Sequence, residues 1–181
     1  MIYVKKILAN GKTLTLKEAE PFEAARMIKY LNVVGGESEN LLFGEGEFRF
    51  TVEQEEEIIS QHLNSENDVM LVGVIDHEIV AVALLTTPNR SRIRHNAQIS
   101  LSVRKDYWNL GIGSFIMNEL VTFATNHPVI RVISLEVKEG NESAIHLYKK
   151  YGFEMVGRHK DNVYLNHQYH DILLMDLYLE K

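Results

Sequence analysis

The stretch Leu135–Phe153, LEVKEGNESAIHLYKKYGF, carries the reading of the fold. It completes a β-branched, alternating run that begins at Ile130 (IRVISLEV), the pattern of a half-buried strand. Asn141 then stands where a helix N-cap belongs, since its side chain accepts from an unpaired backbone N–H, and a short helix runs to Tyr151. Gly152 follows as the C-terminal cap, where a left-handed residue ends a helix without steric cost, and Phe153 is the apolar residue beyond it. Asn141 and Tyr148 are seven residues apart, two helical turns, so they face the same way. On the residues alone two readings of this pair stand: a plain cap with a core aromatic, or two side chains turned to one ligand.

Upstream, Ser102–Phe115 (SVRKDYWNLGIGSF) leaves a strand, turns through polar residues and enters a helix at Gly111-Ile112-Gly113. A helix N-terminus offers unpaired N–H groups and a positive dipole end, and glycines let an anion approach the backbone. The segment is therefore a candidate diphosphate cradle, although a lone G-x-G is equally a tight strand-to-helix turn. A Walker loop is excluded, because no lysine follows the glycines, and the dinucleotide fingerprint needs a third glycine where Ile116 stands. Ala97–Val103 (AQISLSV) alternates as the strand before the loop. Ile116, Leu120, Phe123 and Ala124 mark one face of the helix after it, Gly113–Asn126.

Toward the N-terminus, Lys12–Lys17 reads as a short strand and Ala19–Leu31 as an amphipathic helix. Gly35–Phe48, rich in Gly and Glu, reads as a loop, and Thr51-Val52-Glu53-Gln54 as a capping box opening a second helix. Val69–Ile75 and Glu78–Leu85 form a hairpin by spacing across Asp76-His77, an unusual place for histidine. Arg90–Arg94 is a basic loop. Phe153–His159 and Tyr169–Leu179 are two closing strands around a polar turn near Asn166-His167. The predicted order, β-α-α-β-β-β-α-β-α-β-β, has no repeat and no linker, so residues 1–181 are read as one mixed α/β domain.

Composition narrows the function. A net charge of -6 disfavours nucleic-acid partners, which need clustered lysine and arginine. The absence of cysteine removes disulfides, thiolate metal sites and a thiol nucleophile together. His167 and His170 have H-x-x-H spacing but no third ligand pattern, so no metal site is expected. No apolar run is long enough for a membrane span or a secretory leader, which makes a cytoplasmic protein the expectation.

Taken together these segments resemble the GCN5-related N-acetyltransferase (GNAT) superfamily. AQISLSV followed by RKDYWNLGIGS is similar to its V-x(5–7)-[RQ]-x-x-G-x-[GA] loop, and LEVKEGNESAIHLYKKYGF to its strand–Asn–helix–Tyr–GF signature. TLTLKEAEPFEAARMIKYLN and the closing DILLMDLYL extend the likeness over nearly the whole chain. The resemblance implies an α/β (α+β) fold with a mixed, mostly antiparallel central sheet, splayed between its fourth and fifth strands and flanked by helices.

It also implies acetyl-CoA as acyl donor and direct transfer to a primary amine of a small molecule or peptide, by a monomer or homodimer and with no metal. By the same resemblance, backbone amides of Trp108, Asn109, Leu110, Gly111, Ile112, Gly113 and Ser114 hold the diphosphate. The backbone of Leu101 and Val103 pairs with the pantetheine, the Leu101 N–H being the oxyanion donor. Asn141 bonds the cofactor arm and Tyr148 protonates the leaving thiolate.

Two departures stand out. Trp108 occupies the usual Arg or Gln position, leaving Arg104 or Lys105 as nearby cations, and Gln98 stands near the usual basic glutamate, so the general base is unassigned. These two also support an alternative, a non-catalytic acetyl-CoA sensor. Glu37, Glu39, Glu45 and Glu47 are read either as a solvated face or as an attraction for a cationic amine. Asp171 and Tyr169 are candidates for the acceptor site or for a sheet role.

Overall fold

The structure, a computed structural model, describes residues 2–180. Its elements are β1 (Tyr3–Ile7), β2 (Thr13–Glu18), α1 (Ala24–Glu37), α2 (Val52–Leu63), β3 (Val69–Ile75), β4 (Glu78–Thr86) and β5 (Asn96–Val103). They continue with α3 (Ile112–Asn126), β6 (Val132–Lys138), α4 (Glu142–Lys150), β7 (Glu154–Leu165) and β8 (Gln168–Tyr178). One sheet runs β1-β2-β3-β4-β5-β6-β8-β7, antiparallel throughout except for the parallel pair β5–β6. This is the mixed, mostly antiparallel sheet expected.

Each face of the sheet has its own core. Met70, Val72, Ile79 and Val82 pack under Met27, Tyr30 and Val34 of α1 and Ile59 of α2. On the opposite face Leu14, Leu16, Leu71, Ala83, Leu85, Ala97 and Ile99 meet Ile112, Ile116, Met117 and Leu120 of α3, with Ile145 and Tyr148 of α4. Period-two alternation along β5 explains the division, sending Ala97 and Ile99 inward and leaving Gln98 and Ser100 exposed on the other side.

Local signals behave as their chemistry requires. Thr51 and Gln54 close the capping box, with Thr51 Oγ1 accepting from the Gln54 N–H and the Gln54 side chain accepting from the Thr51 N–H. Asp76 and His77 both have positive φ, 49° and 67°, as a two-residue hairpin turn demands. The histidine is tolerated there because Lys12 reaches the Asp76 carboxylate at 2.8 Å and Arg26 donates to the His77 carbonyl at 2.9 Å.

Three expectations need correction. β1 was not foreseen: consecutive lysines hide its alternation, yet Val4 and Lys6 turn inward while Tyr3, Lys5 and Ile7 face solvent. Helix α1 does not stop at Leu31 but continues through Gly35-Gly36 to Glu37, so the loop begins at Ser38. The glycines serve close packing, because a Cβ on Gly35 would stand 2.6 Å from the Gly44 carbonyl oxygen of the returning loop. β7 also runs six residues beyond His159, to Leu165, making a long terminal hairpin that turns at Asn166-His167.

Candidate active site

The sheet opens where β5 and β6 part. Only Asn96–Gln98 pair with Val132–Ser134; beyond them β5 stays bonded to β4 as far as Val103, and β6 to β8 as far as Lys138. Counted from β2, these are the fourth and fifth strands, where the splay was expected. The Arg104 N–H donates to the Val80 carbonyl on β4, so by strand alternation the N–H and C=O groups of Leu101 and Val103 point the other way, into the gap. They line it without a strand partner.

At the far end of β5 the chain enters α3 through residues held in left-handed conformations, Asn109 at φ 60° and Gly111 at φ 75°. Gly111 is the N-cap and carries no side-chain cap. The Phe115 N–H is the first to bond back, to the Gly111 carbonyl at 3.1 Å, so the N–H groups of Ile112, Gly113 and Ser114 have no acceptor among the described residues. Gly113 packs closely, since a Cβ there would stand 3.3 Å from the Leu147 side chain and 3.8 Å from that of Leu101. The Tyr151 hydroxyl donates to the Ser114 carbonyl at 2.6 Å, joining the end of α4 to the start of α3.

Trp108 is built into this turn. Its N–H donates to the Lys105 carbonyl at 3.1 Å, and its indole Nε1 donates to the Val103 carbonyl at 2.7 Å. Neither donor is therefore free in this structure. Arg104 is committed elsewhere, its Nε lying 2.9 Å from both Glu37 carboxylate oxygens, and the Lys105 N–H adds a third bond to Glu37.

On the helix that follows β6, Asn141 caps α4 by accepting from the Ala144 N–H at 3.3 Å, and its side-chain NH2 has no partner among the described residues. Tyr148 lies two turns on, 8% exposed, and no hydrogen bond engages its hydroxyl among the described residues. Burial raises its pKa, which keeps the phenol protonated and able to donate. Its position is fixed from behind. Phe153 N–H donates to the Tyr148 carbonyl at 3.1 Å and Gly152 N–H to Lys149 at 3.0 Å, a Schellman ending around Gly152 at φ 89°, with the Tyr148 and Phe153 rings 5.9 Å apart.

Comparison with known proteins settles the family: residues 38–153, well over half the chain, match "Acetyltransferase (GNAT) family". The chain belongs to that family. It is 33% identical over 105 residues to L-amino acid N-acetyltransferase AaaT of Escherichia coli, a match covering 58% of this chain and 65% of that protein. The chain thus aligns with less than two thirds of that relative's length. Among solved structures, a GNAT-family acetyltransferase from Streptococcus pneumoniae superposes with a TM-score of 0.88 at 28% identity, over 92% of this chain and 99% of that one. The fold is shared also with yncA of Salmonella typhimurium, solved with its cofactor acetyl-CoA, at a TM-score of 0.79 and 15% identity, over 93% and 95% of the two chains.

The donor set of this acetyltransferase-family chain fits acetyl-CoA as acyl donor. Unpaired amides at the start of α3 suit a diphosphate, and the gap-facing N–H and C=O of Leu101 with the N–H of Val103 suit an arm that itself carries amides, the Val103 carbonyl being taken by Trp108. On the opposite face α1 reaches β5 only at its end, where the Tyr30 hydroxyl bonds Ser102 at 2.9 Å and Glu37 holds Arg104. Gln98 is paired with Ser134, so Glu136, two residues on, points to the same side, and Gln98, Ser100 and Glu136 are all exposed. Glu136 is a carboxylate that reasoning from sequence missed; the signal was the alternation of ISLEV read against that of AQISL.

The four loop acids are largely engaged. Glu37 holds Arg104, Glu39 accepts from Asn166 at 2.9 Å, Glu47 accepts from the Gly44 N–H at 2.8 Å, and Glu45 packs against Gly36. Asp171 accepts from Arg158 and from the Asp161 N–H, the backbone bond being the larger cause of its lowered pKa, and the Tyr169 and Tyr164 rings meet at a 47° tilt with centroids 4.9 Å apart. His167 stands in the hairpin turn and His170 on β8. Among the described residues no three His, Cys, Asp or Glu side chains form a metal cluster, and no helix is long and apolar enough to cross a membrane.

Proposed function

We propose that this family member transfers the acetyl group of acetyl-CoA directly to a primary α-amine, of a free amino acid or a peptide N-terminus, in a ternary complex. Acetyl-CoA supplies an already activated acyl group, so the chain's residues need only orient it, stabilise charge and move protons. The Leu101 N–H, directed into the gap, donates to the carbonyl oxygen as negative charge builds there, a single donor being worth roughly 3 kcal/mol. As the new C–N bond forms and the C–S bond breaks, Tyr148 gives its proton to the departing sulfur. A water held by Glu136 takes the proton that the amine loses. Asn109–Ser114 and the Asn141 NH2 hold the donor in place, and Trp108 braces the turn from which those amides project.

What supports this reading is Tyr148, a buried phenol whose hydroxyl has no hydrogen-bond partner among the described residues, on the helix that follows β6, the strand that carries the exposed Glu136. The amino-acid acceptor is supported by the name of the Escherichia coli relative. Thiol release from acetyl-CoA, measured with free amino acids, short peptides and polyamines, is the test. Turnover with α-amines and a mass gain of one acetyl group on the acceptor are expected; release with polyamines alone would refute the acceptor class, and release with none would refute the transfer.

A further inference from the structure

We infer that Lys6, on the edge strand β1, is the side-chain cation of the diphosphate cradle, an inference that rests on the cradle reading above. A Cβ on Gly111 would stand 3.7 Å from Lys6 Nζ, and the same ammonium lies 5.2 Å from the centre of the Phe115 ring. Gly111 and Phe115 bracket the first turn of α3, so the charge sits beside the turn whose amides are unpaired.

Lys6 is half-buried and has no carboxylate partner among the described residues. Lys12 is paired with Asp76, and Lys17 with Glu20 and Glu23. A partly desolvated ammonium resting on one aromatic ring lacks a full replacement for its water, and an anion at the helix start would supply it. Within the loop Trp108 is uncharged, Arg104 is held by Glu37, and Lys105 is exposed and six residues ahead of Gly111, whereas Lys6 already stands beside it. Lys6 also lies outside residues 38–153, so this cation comes from a segment beyond the family match.

The test compares three donors with the full-length enzyme: acetyl-CoA, acetyl-dephospho-CoA, which lacks only the ribose phosphate, and acetyl-pantetheine, which lacks every phosphate. Lys6→Gln should lower kcat/KM roughly three- to tenfold for the first two donors, leave acetyl-pantetheine unchanged, and be largely restored by Lys6→Arg. An equal loss with acetyl-pantetheine would make Lys6 a structural residue, and a loss confined to acetyl-CoA would assign it to the ribose phosphate; either overturns the inference. Gly111→Asp separates this inference from the cradle itself. If it weakens acetyl-CoA binding while Lys6→Gln does not, Lys6 is removed and the cradle stands; if neither variant has an effect, both are removed.

Discussion

The indole of Trp108 donates to the carbonyl of Val103 at 2.7 Å, so the last residue of β5 is bonded to the loop that leaves it. This strand end faces the gap, and its carbonyl would otherwise lack a partner. A residue that cannot neutralise phosphate thus contributes geometry instead, tying the strand to the turn that presents the amides.

Trp108→Phe keeps the ring and removes the donor. One neutral hydrogen bond is worth about 1 kcal/mol, so the KM for acetyl-CoA should rise about fivefold while kcat changes little. Steady-state kinetics decide it. Because Trp108 is the only tryptophan in the sequence, wild-type emission on titration with acetyl-CoA reports the same site.

Tyr148 and Glu136 are assigned opposite proton tasks, and their variants should differ accordingly. Tyr148→Phe should lower kcat by about 10²-fold with the acetyl-CoA Kd unchanged, because only the leaving group is affected. Glu136→Gln should lower kcat/KM for the amine at neutral pH and recover at alkaline pH, where the amine deprotonates unaided. Calorimetry for the first and a pH–rate profile for the second are the checks.

Gly35→Val should destabilise the chain by about 1–3 kcal/mol, since its Cβ would strike the Gly44 backbone. The damage falls on residues 38–51 rather than on α3. In protein that still folds, acetyl-CoA affinity should therefore hold. Urea unfolding and calorimetry with acetyl-CoA test both halves.

Glu55 on α2 is 2% exposed, and its Oε2 has no hydrogen-bond partner among the described residues. Burial raises its pKa above the usual 4.5, so the folded state holds the proton more tightly than the unfolded state. Its contribution is intact below pH 4.5 and is lost as the pH rises through the raised value. Glu55→Gln should raise Tm by about 2–4 °C at neutral pH, and the difference should fade in acid, as followed by thermal melts across pH.

What could be read from the sequence was what is encoded within a few residues. The Thr51 box, the Gly152 ending and the alternation of β5 and β6 are local chemistry, and the element order from Thr51 to Phe153 follows from them. The misses involve distance along the chain. Gly35 faces Gly44 through a fold of the loop, and Glu37 meets Arg104 sixty-seven residues away. Lys6 reaches Gly111 only because β1 edges the sheet over which α3 packs. Glu136 was hidden for a related reason: its side of the sheet is known only once Gln98 is seen to pair with Ser134.

The parting of β5 from β6 leaves an aperture in the hydrogen bonding of the sheet beyond Gln98 and Ser134. On the transfer proposed above, with the donor on the α3 side and the amine on the other, thiol and amide would withdraw in opposite directions. A conjugate joining the pantetheine sulfur to an amine would be threaded through this aperture with a bulky group on each side. Its release would require the strands to spread, and such a compound should dissociate far more slowly than either half.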